Sequence, residues 1–203
     1  FFRAAAITTV VIGHWFVSVP QYVDGNLRFT ELLVRQPWVQ YLTWIFQVMP
    51  IFFFVGGFSN ASSWVSAQAD PAKRRAWQAS RLKRLLLPIT PLVLFWATFA
   101  GLAGYAGLDE DLIRATTRAA LIPVWFLAVY IMVTVAVPIS FRAWERFGLV
   151  SVAFLAAGAA IVDTIAFAAD VGWLRWANYA FICLGMHQLG YWWHRGFTGI
   201  TGP

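Results

Sequence analysis

Charge and cysteine are both scarce in this sequence. Asp, Glu, Lys and Arg make up 12% of its 203 residues, and Cys183 is its single cysteine. Ordinary soluble domains carry about 25% charged residues. One thiol excludes a disulfide framework and a cysteine-based zinc site. The chain is 60% hydrophobic, with 12 Trp and 18 Phe, which excludes intrinsic disorder and a water-soluble core. This composition indicates a polytopic membrane protein.

Several common catalytic motifs are also missing. The sequence contains no Gly-x-Ser-x-Gly, no His-Glu-x-x-His and no glycine loop leading into Lys-Ser or Lys-Thr. These patterns mark serine hydrolases, zinc proteases and nucleoside triphosphatases. The sequence therefore predicts none of these enzymes, and no metal cofactor.

Long apolar runs predict an all-α fold, a polytopic integral membrane helix bundle. About six segments approach the roughly 20 apolar residues that a bilayer crossing needs. The chain opens on Phe1 and becomes apolar almost at once. We therefore expect a single domain over 1–203 that is a fragment lacking its N-terminus and further C-terminal spans. The predicted spans are Ala4 to Val19, Val39 to Val65, Leu85 to Ala106, Leu121 to Ser140, Leu149 to Ala169 and Trp176 to Trp193.

Basic residues fix the expected orientation. Residues 66–84 hold six Lys or Arg against one acid, Asp70. Because Lys and Arg accumulate in cytoplasmic loops, we expect this loop to be cytoplasmic and the protein to lie in a membrane. Membrane lipid is thus an expected partner. Nucleic acid is not, because the rest of the chain lies in lipid.

The first predicted span carries two ionisable residues on one face. His14 lies eleven residues after Arg3, which places the two within roughly 20° of each other and about 16 Å apart along a helix. A cation at the cytoplasmic rim and an imidazole near the midplane suit a reaction that holds an anionic carrier at the membrane surface and needs a base within the membrane. The alternative is a structural His and an Arg that only anchors the topology.

The second predicted span ends in a polar stretch. Gln47, Ser59 and Asn60 lie around Gly56 and Gly57. They can line a polar site, or the small and polar residues can serve helix packing alone.

Two arginines stand three residues apart at the entrance of the third span. Arg81 and Arg84 can bind phosphate groups through paired N–H donors. Contact with anionic lipid headgroups explains the same cluster without another ligand. Trp125, Asp163 and His187 are further polar or aromatic residues at membrane depth, and the last two have no assigned role.

Together these motifs resemble the integral-membrane acyltransferase 3 family, in its actinobacterial form. The similarity runs from Phe1 to about Gly196. The family usually has about ten spans, and some relatives have Ser where Gly56 stands or a Glu pair where Val129 and Tyr130 stand. The resembling motifs are Arg3 with His14, Pro50–Phe58, Arg81 to Pro88 with its two arginines, and Trp125 to Leu127.

This resemblance implies transfer of an acyl group, most simply acetyl, from cytoplasmic acyl-CoA to a hydroxyl of a glycan, lipid-linked sugar or secondary metabolite. It implies catalysis by His14 and Arg3, and binding of acyl-CoA phosphates by Arg3, Arg81 and Arg84. Substrate or oxyanion contacts are assigned to Gln47, Ser59, Asn60 and Trp125. The alternative is a carrier or flippase that moves an acylated or phosphorylated intermediate without chemistry. A non-catalytic scaffold is a third hypothesis.

Overall fold

The computed structural model describes residues 8, 18–23, 26–31, 49–121 and 124–200. It divides into two compact units, residues 1–52 and residues 53–203. The first unit contains a short antiparallel hairpin of strands β1 (Ser18–Val23) and β2 (Asn26–Glu31). Ser18 pairs with Glu31, and Val23 pairs with Asn26.

The second unit is helical, and the fold class is all-α as predicted. One helix, α1, begins before the unit boundary. Over the described residues the helices are α1 (Met49–Ala67), α2 (Pro71–Leu86), α3 (Ile89–Tyr105), α4 (Glu110–Leu121), α5 (Val124–Phe147), α6 (Leu149–Ala168) and α7 (Trp176–Ile200), with a 3-10 turn at Gly172–Arg175 before α7.

Local chemistry sets several helix ends. The Asp70 carboxylate accepts a hydrogen bond from the Ala72 backbone N–H at 2.7 Å, and Pro71 occupies the first turn of α2, where its missing N–H costs nothing. The Asp109 carboxylate accepts likewise from Leu112 N at the start of α4. Gly148 has a positive φ of 56° between α5 and α6, a conformation that glycine adopts without strain.

Tryptophan and other large side chains fill the interior between α1, α2, α5 and α7. Trp64 and Trp77 meet edge to face with ring centroids 5.0 Å apart. Phe141 and Tyr191 do the same at 5.2 Å. These contacts bury one stripe of each helix and hold the basic helix α2 against the bundle.

Three described helical segments are long and apolar enough to cross a membrane: Pro71–Tyr105, which joins α2 and α3, Val124–Phe147 and Leu149–Ala168. Helices α1 and α7, of 19 and 25 residues, overlap two further predicted spans but are not among these three segments. Residues 39–48 of the predicted second span lie outside the described residues. Large apolar side chains such as Phe95, Phe154 and Phe167 are exposed. In a membrane chain such surfaces face lipid or further helices.

The boundaries correct the sequence predictions in several places. The basic stretch expected to be a loop is the amphipathic helix α2, and the apolar helix that follows starts at Ile89 instead of Leu85. Helix α4 and the hairpin occupy segments expected to be loops. Ser18 and Val19, expected in the first span, belong to β1, and α7 extends past Trp193 to Ile200.

Candidate functional site

Arg81 is fixed at the junction of α2 with α1. Its guanidinium Nη2 donates to the Ser63 hydroxyl at 2.6 Å, and Trp77 Nε1 donates to the same oxygen at 2.9 Å. Arg81 also lies over the Trp77 ring, 5.5 Å from the centroid. Ser63 in turn donates to the Ser59 carbonyl at 3.0 Å. The half-buried Arg81 thus has a defined position at the edge of the bundle.

Arg84 lies one turn further along α2 and is exposed, as is Lys83. Arg81 and Arg84 therefore have different surroundings, although both belong to the same basic helix. Arg81, Lys83 and Arg84 put cations near the C-terminal end of α2, where phosphate groups or lipid headgroups can contact them.

Asn60 and His187 bring α1 and α7 together in the interior. Asn60 Nδ2 lies 3.1 Å from His187 Nε2, and both side chains are buried. His187 Nδ1 is buried without a hydrogen-bond partner in the described part of the chain. Close backbone contact permits the pairing, because a Cβ atom on Gly57 would overlap the His187 carbonyl. Gly57 therefore serves helix packing, one of the two roles that the sequence left open for this stretch.

A second group of buried polar side chains joins α5, α6 and α7. The Ser140 and Tyr191 hydroxyls lie 2.9 Å apart, and Ser151 Oγ donates to Gln188 Oε1 at 2.7 Å. Gln188 Nε2 also donates to the Ser140 carbonyl at 3.2 Å. Hydrogen bonds of this kind satisfy polar groups inside a membrane bundle and set the register of the helices.

Trp125 lies toward the opposite end of the bundle from Arg81. Its ring neighbours Phe126, which meets Phe53 of α1 at a centroid distance of 5.5 Å. Ser63, the partner of Arg81, follows Phe53 by ten residues, about 15 Å along a helix. The structure therefore separates Trp125 from Arg81 and Arg84, the described members of the predicted cofactor site.

The remaining predicted site residues have mixed outcomes. Arg3, His14 and Gln47 lie outside the described residues. Ser59 is half-buried, whereas Asn60 uses its amide to contact His187. From sequence, His187 and Gln188 stood out as polar residues inside an apolar run and were given no role. Their contacts, and the part played by Ser140, Ser151 and Tyr191, were not predicted.

These described residues form a membrane-type helix bundle with polar side chains gathered in its interior and cations along one amphipathic helix. A family model described as an acyltransferase domain matches residues 1–202, and the chain belongs to this acyltransferase 3 family. The recognition made from the motifs is confirmed. No curated protein and no solved structure matches the chain.

Proposed function

We propose that the chain transfers an acyl group, acetyl in the simplest case, from acyl-CoA to a hydroxyl of a glycan, lipid-linked sugar or secondary metabolite. Its membership of an acyltransferase family supports group transfer in general. The observation that carries the donor site is the fixed position of Arg81 on Ser63, at the end of the bundle where the basic helix α2 packs. That end is cytoplasmic in this proposal, in the plasma membrane of a bacterium.

CoA phosphates bind Arg81, Arg84 and Arg3 in this scheme, and the thioester extends into the membrane. The acceptor hydroxyl oxygen attacks the thioester carbon while His14 accepts the hydroxyl proton. The carbon–sulfur bond breaks, the acceptor leaves as an ester, and the proton passes from His14 to the CoA thiolate. Ser59, Asn60 and Gln47 are candidate donors to the developing oxyanion, the kind of stabilisation that acyl transfer requires.

The catalytic test uses purified full-length protein and acetyl-CoA labelled in its acetyl group. His14→Ala should lower transfer by about 10²–10⁴-fold, the usual contribution of a general base. His194→Ala is the matched control, since His194 packs edge-on against Phe58 and has no role in the scheme. Normal transfer by His14→Ala rejects the proposed base. If the wild-type protein leaves thioester hydrolysis and transfer at background, the alternative holds, a carrier or flippase that moves an acylated or phosphorylated intermediate without chemistry.

The donor-site test compares two cations of α2. Arg81→Gln should raise KM for acetyl-CoA by about tenfold, the loss of one charge-assisted hydrogen bond. Lys73→Gln, on an exposed residue of the same helix, should leave KM unchanged. If Arg81→Gln lowers thermal stability and leaves KM as it was, the residue only holds α2 against α1.

A further inference from the structure

A pocket lies at the end of the bundle where α4 packs on α3. Its walls come from α3, α4 and the first turns of α5 and α7, and its volume is about 950 Å³. This volume lies within the range of small-molecule sites, roughly 300–1,000 Å³. The pocket belongs to the end of α5 that carries Trp125, away from the basic helix α2.

Aromatic rings form one side of this pocket. Trp125 and Tyr179 meet edge to face at 5.2 Å, and Trp176 lies against Tyr179 at 5.5 Å with 33° between the ring planes. The three rings give an extended surface with partly negative faces and polar N–H and O–H edges. Such a surface suits a molecule with a C–H-rich face and hydroxyl groups around its rim, as a pyranose ring has.

Cations form the other side. Arg114 and Arg118 stand four residues apart on α4, hence on one face of the helix, and both line the pocket. Arg114 lies 3.4 Å from the Glu110 carboxylate in an exposed pair. Within the described part of the chain, Arg118 has no acidic partner. Arg114 and Arg118 are the charged side chains among the described residues that line the pocket, whereas Glu110 and Asp111 stand in the first turn of α4 outside the lining. The lining therefore favours a phosphate or carboxylate.

The hydroxyl of Thr117 lies on the wall of the pocket that α4 forms. Thr117 lines the pocket, and its Oγ1 is buried without a hydrogen-bond partner among the described residues. A buried hydroxyl without a partner is costly, and because this oxygen is shielded, a change of the Thr117 rotamer is needed to bring it to a ligand in the pocket.

We infer that this pocket binds the acyl acceptor, and that the acceptor is a saccharide bearing an anionic group. The inference rests on the proposed function, since it assigns the hydroxyl-bearing substrate of the same transfer. It places donor and acceptor at opposite ends of one bundle, with α2 at the donor end and α4 at the acceptor end. The acceptor hydroxyl would then approach the membrane interior from the side opposite to acyl-CoA.

The binding test needs no acyl donor. Glucose 1-phosphate is titrated into the full-length protein in neutral detergent, with methyl glucoside and inorganic phosphate as separate arms, and binding is followed by calorimetry. We expect glucose 1-phosphate to bind at least about tenfold more tightly than methyl glucoside, which lacks the phosphate, and than inorganic phosphate, which lacks the sugar. Equal affinity of phosphate and glucose 1-phosphate would show an anion site without sugar recognition and would overturn the inference.

Two variants locate the site. Arg118→Gln and Trp176→Leu should each weaken glucose 1-phosphate binding by about tenfold. Their matched controls are Arg142→Gln and Trp173→Leu, exposed residues that do not line the pocket. Circular dichroism checks folding, and Arg114→Gln replaces Arg118→Gln if that variant unfolds. Wild-type affinity in the folded pocket variants, or displacement of the sugar phosphate by phosphatidylglycerol micelles at equal concentration, contradicts the assignment.

The inference and the proposed function fail in different ways. If the pocket variants lose binding but the wild type transfers no acetyl group to any saccharide, the pocket is a saccharide site and the transfer proposal fails. If the wild type transfers acetyl and the pocket variants keep the same KM for the acceptor, the pocket inference alone fails.

Discussion

Asn60 of α1 and His187 of α7 face each other in the bundle interior, with 3.1 Å between Asn60 Nδ2 and His187 Nε2. An amide nitrogen only donates, so this geometry makes Nε2 the acceptor and places the ring proton on Nδ1. The ring also meets Tyr191 edge to face at 5.0 Å. The Tyr191 hydroxyl in turn contacts the Ser140 hydroxyl of α5. The Asn60–His187 pair therefore belongs to a chain of contacts that links α1, α7 and α5.

The Asn60–His187 bond should contribute measurably to stability. Asn60→Ala leaves the buried His187 without its described partner, and we expect a loss of about 0.5–2 kcal/mol, the range for polar contacts inside membrane bundles. A double-mutant cycle with His187→Ala in detergent, followed by thermal unfolding, measures the coupling. Ser62→Ala, on an exposed residue of α1, is the control. A coupling energy near zero would mean that the two side chains do not interact.

The crossing of α1 and α7 depends on two glycines. A Cβ atom on Gly57 would overlap the His187 carbonyl, and one on Gly190 would overlap the Phe54 carbonyl. Since backbone cannot move aside as a flexible side chain does, Gly57→Ala and Gly190→Ala should each cost at least about 1–3 kcal/mol.

Gly185 of α7 supplies the comparison for that crossing. A Cβ there would meet its nearest atom, Leu155 Cβ, at 3.9 Å, an ordinary contact. Gly185→Ala should therefore keep or slightly raise the midpoint of thermal unfolding, because alanine favours a helix. Equal midpoints for Gly57→Ala and Gly185→Ala would contradict the close approach.

The Ser63 hydroxyl oxygen accepts hydrogen bonds from two side chains of α2. Ser63→Ala removes the acceptor of both Trp77 Nε1 and Arg81 Nη2, and we expect a loss of about 1–3 kcal/mol because two donors, one of them charged, lose a partly buried partner. Protease cleavage within α2, read by mass spectrometry, should become faster as the helix detaches. Ser63→Thr keeps the hydroxyl and should restore slow cleavage. Unchanged cleavage in Ser63→Ala would mean that packing of Trp77 alone holds α2.

The apolar helices could be predicted from sequence because membrane length and hydropathy are properties of a local window. Val124–Phe147 and Leu149–Ala168 match the predicted fourth and fifth spans to within a few residues at most ends. The twelve-residue helix α4 contains charged residues and is far shorter than a span, so a search for 20-residue apolar runs passes over it. The hairpin was missed for the same reason.

Candidate site residues could be named from sequence only where one element carries them. Arg81 and Arg84 were named because their three-residue spacing on one helix is visible in the sequence, and their binding role stays a prediction. The partners of Asn60 and Arg81 were not recognised, since His187 is 127 residues from Asn60 and Ser63 is 18 residues from Arg81. Such contacts depend on how helices pack, and no local spacing in one sequence encodes them. The substrate role predicted for Trp125 stays a prediction, and the bundle places this residue at the end opposite to Arg81.

Asp163 of the apolar helix α6 should depend on Asn178 of α7. Asn178 Nδ2 donates to Asp163 Oδ1 at 2.5 Å, and a carboxylate in a membrane span is costly without such a partner. Asn178→Leu should therefore lower the midpoint of thermal unfolding in lipid nanodiscs. Adding Asp163→Leu to that variant should raise the midpoint again, because the carboxylate left without a partner is gone. The single change Asp163→Asn, which keeps an oxygen acceptor, should remain near wild type. If the double variant is less stable than Asn178→Leu alone, the carboxylate has a further stabilising contact and the pair is not its main partner.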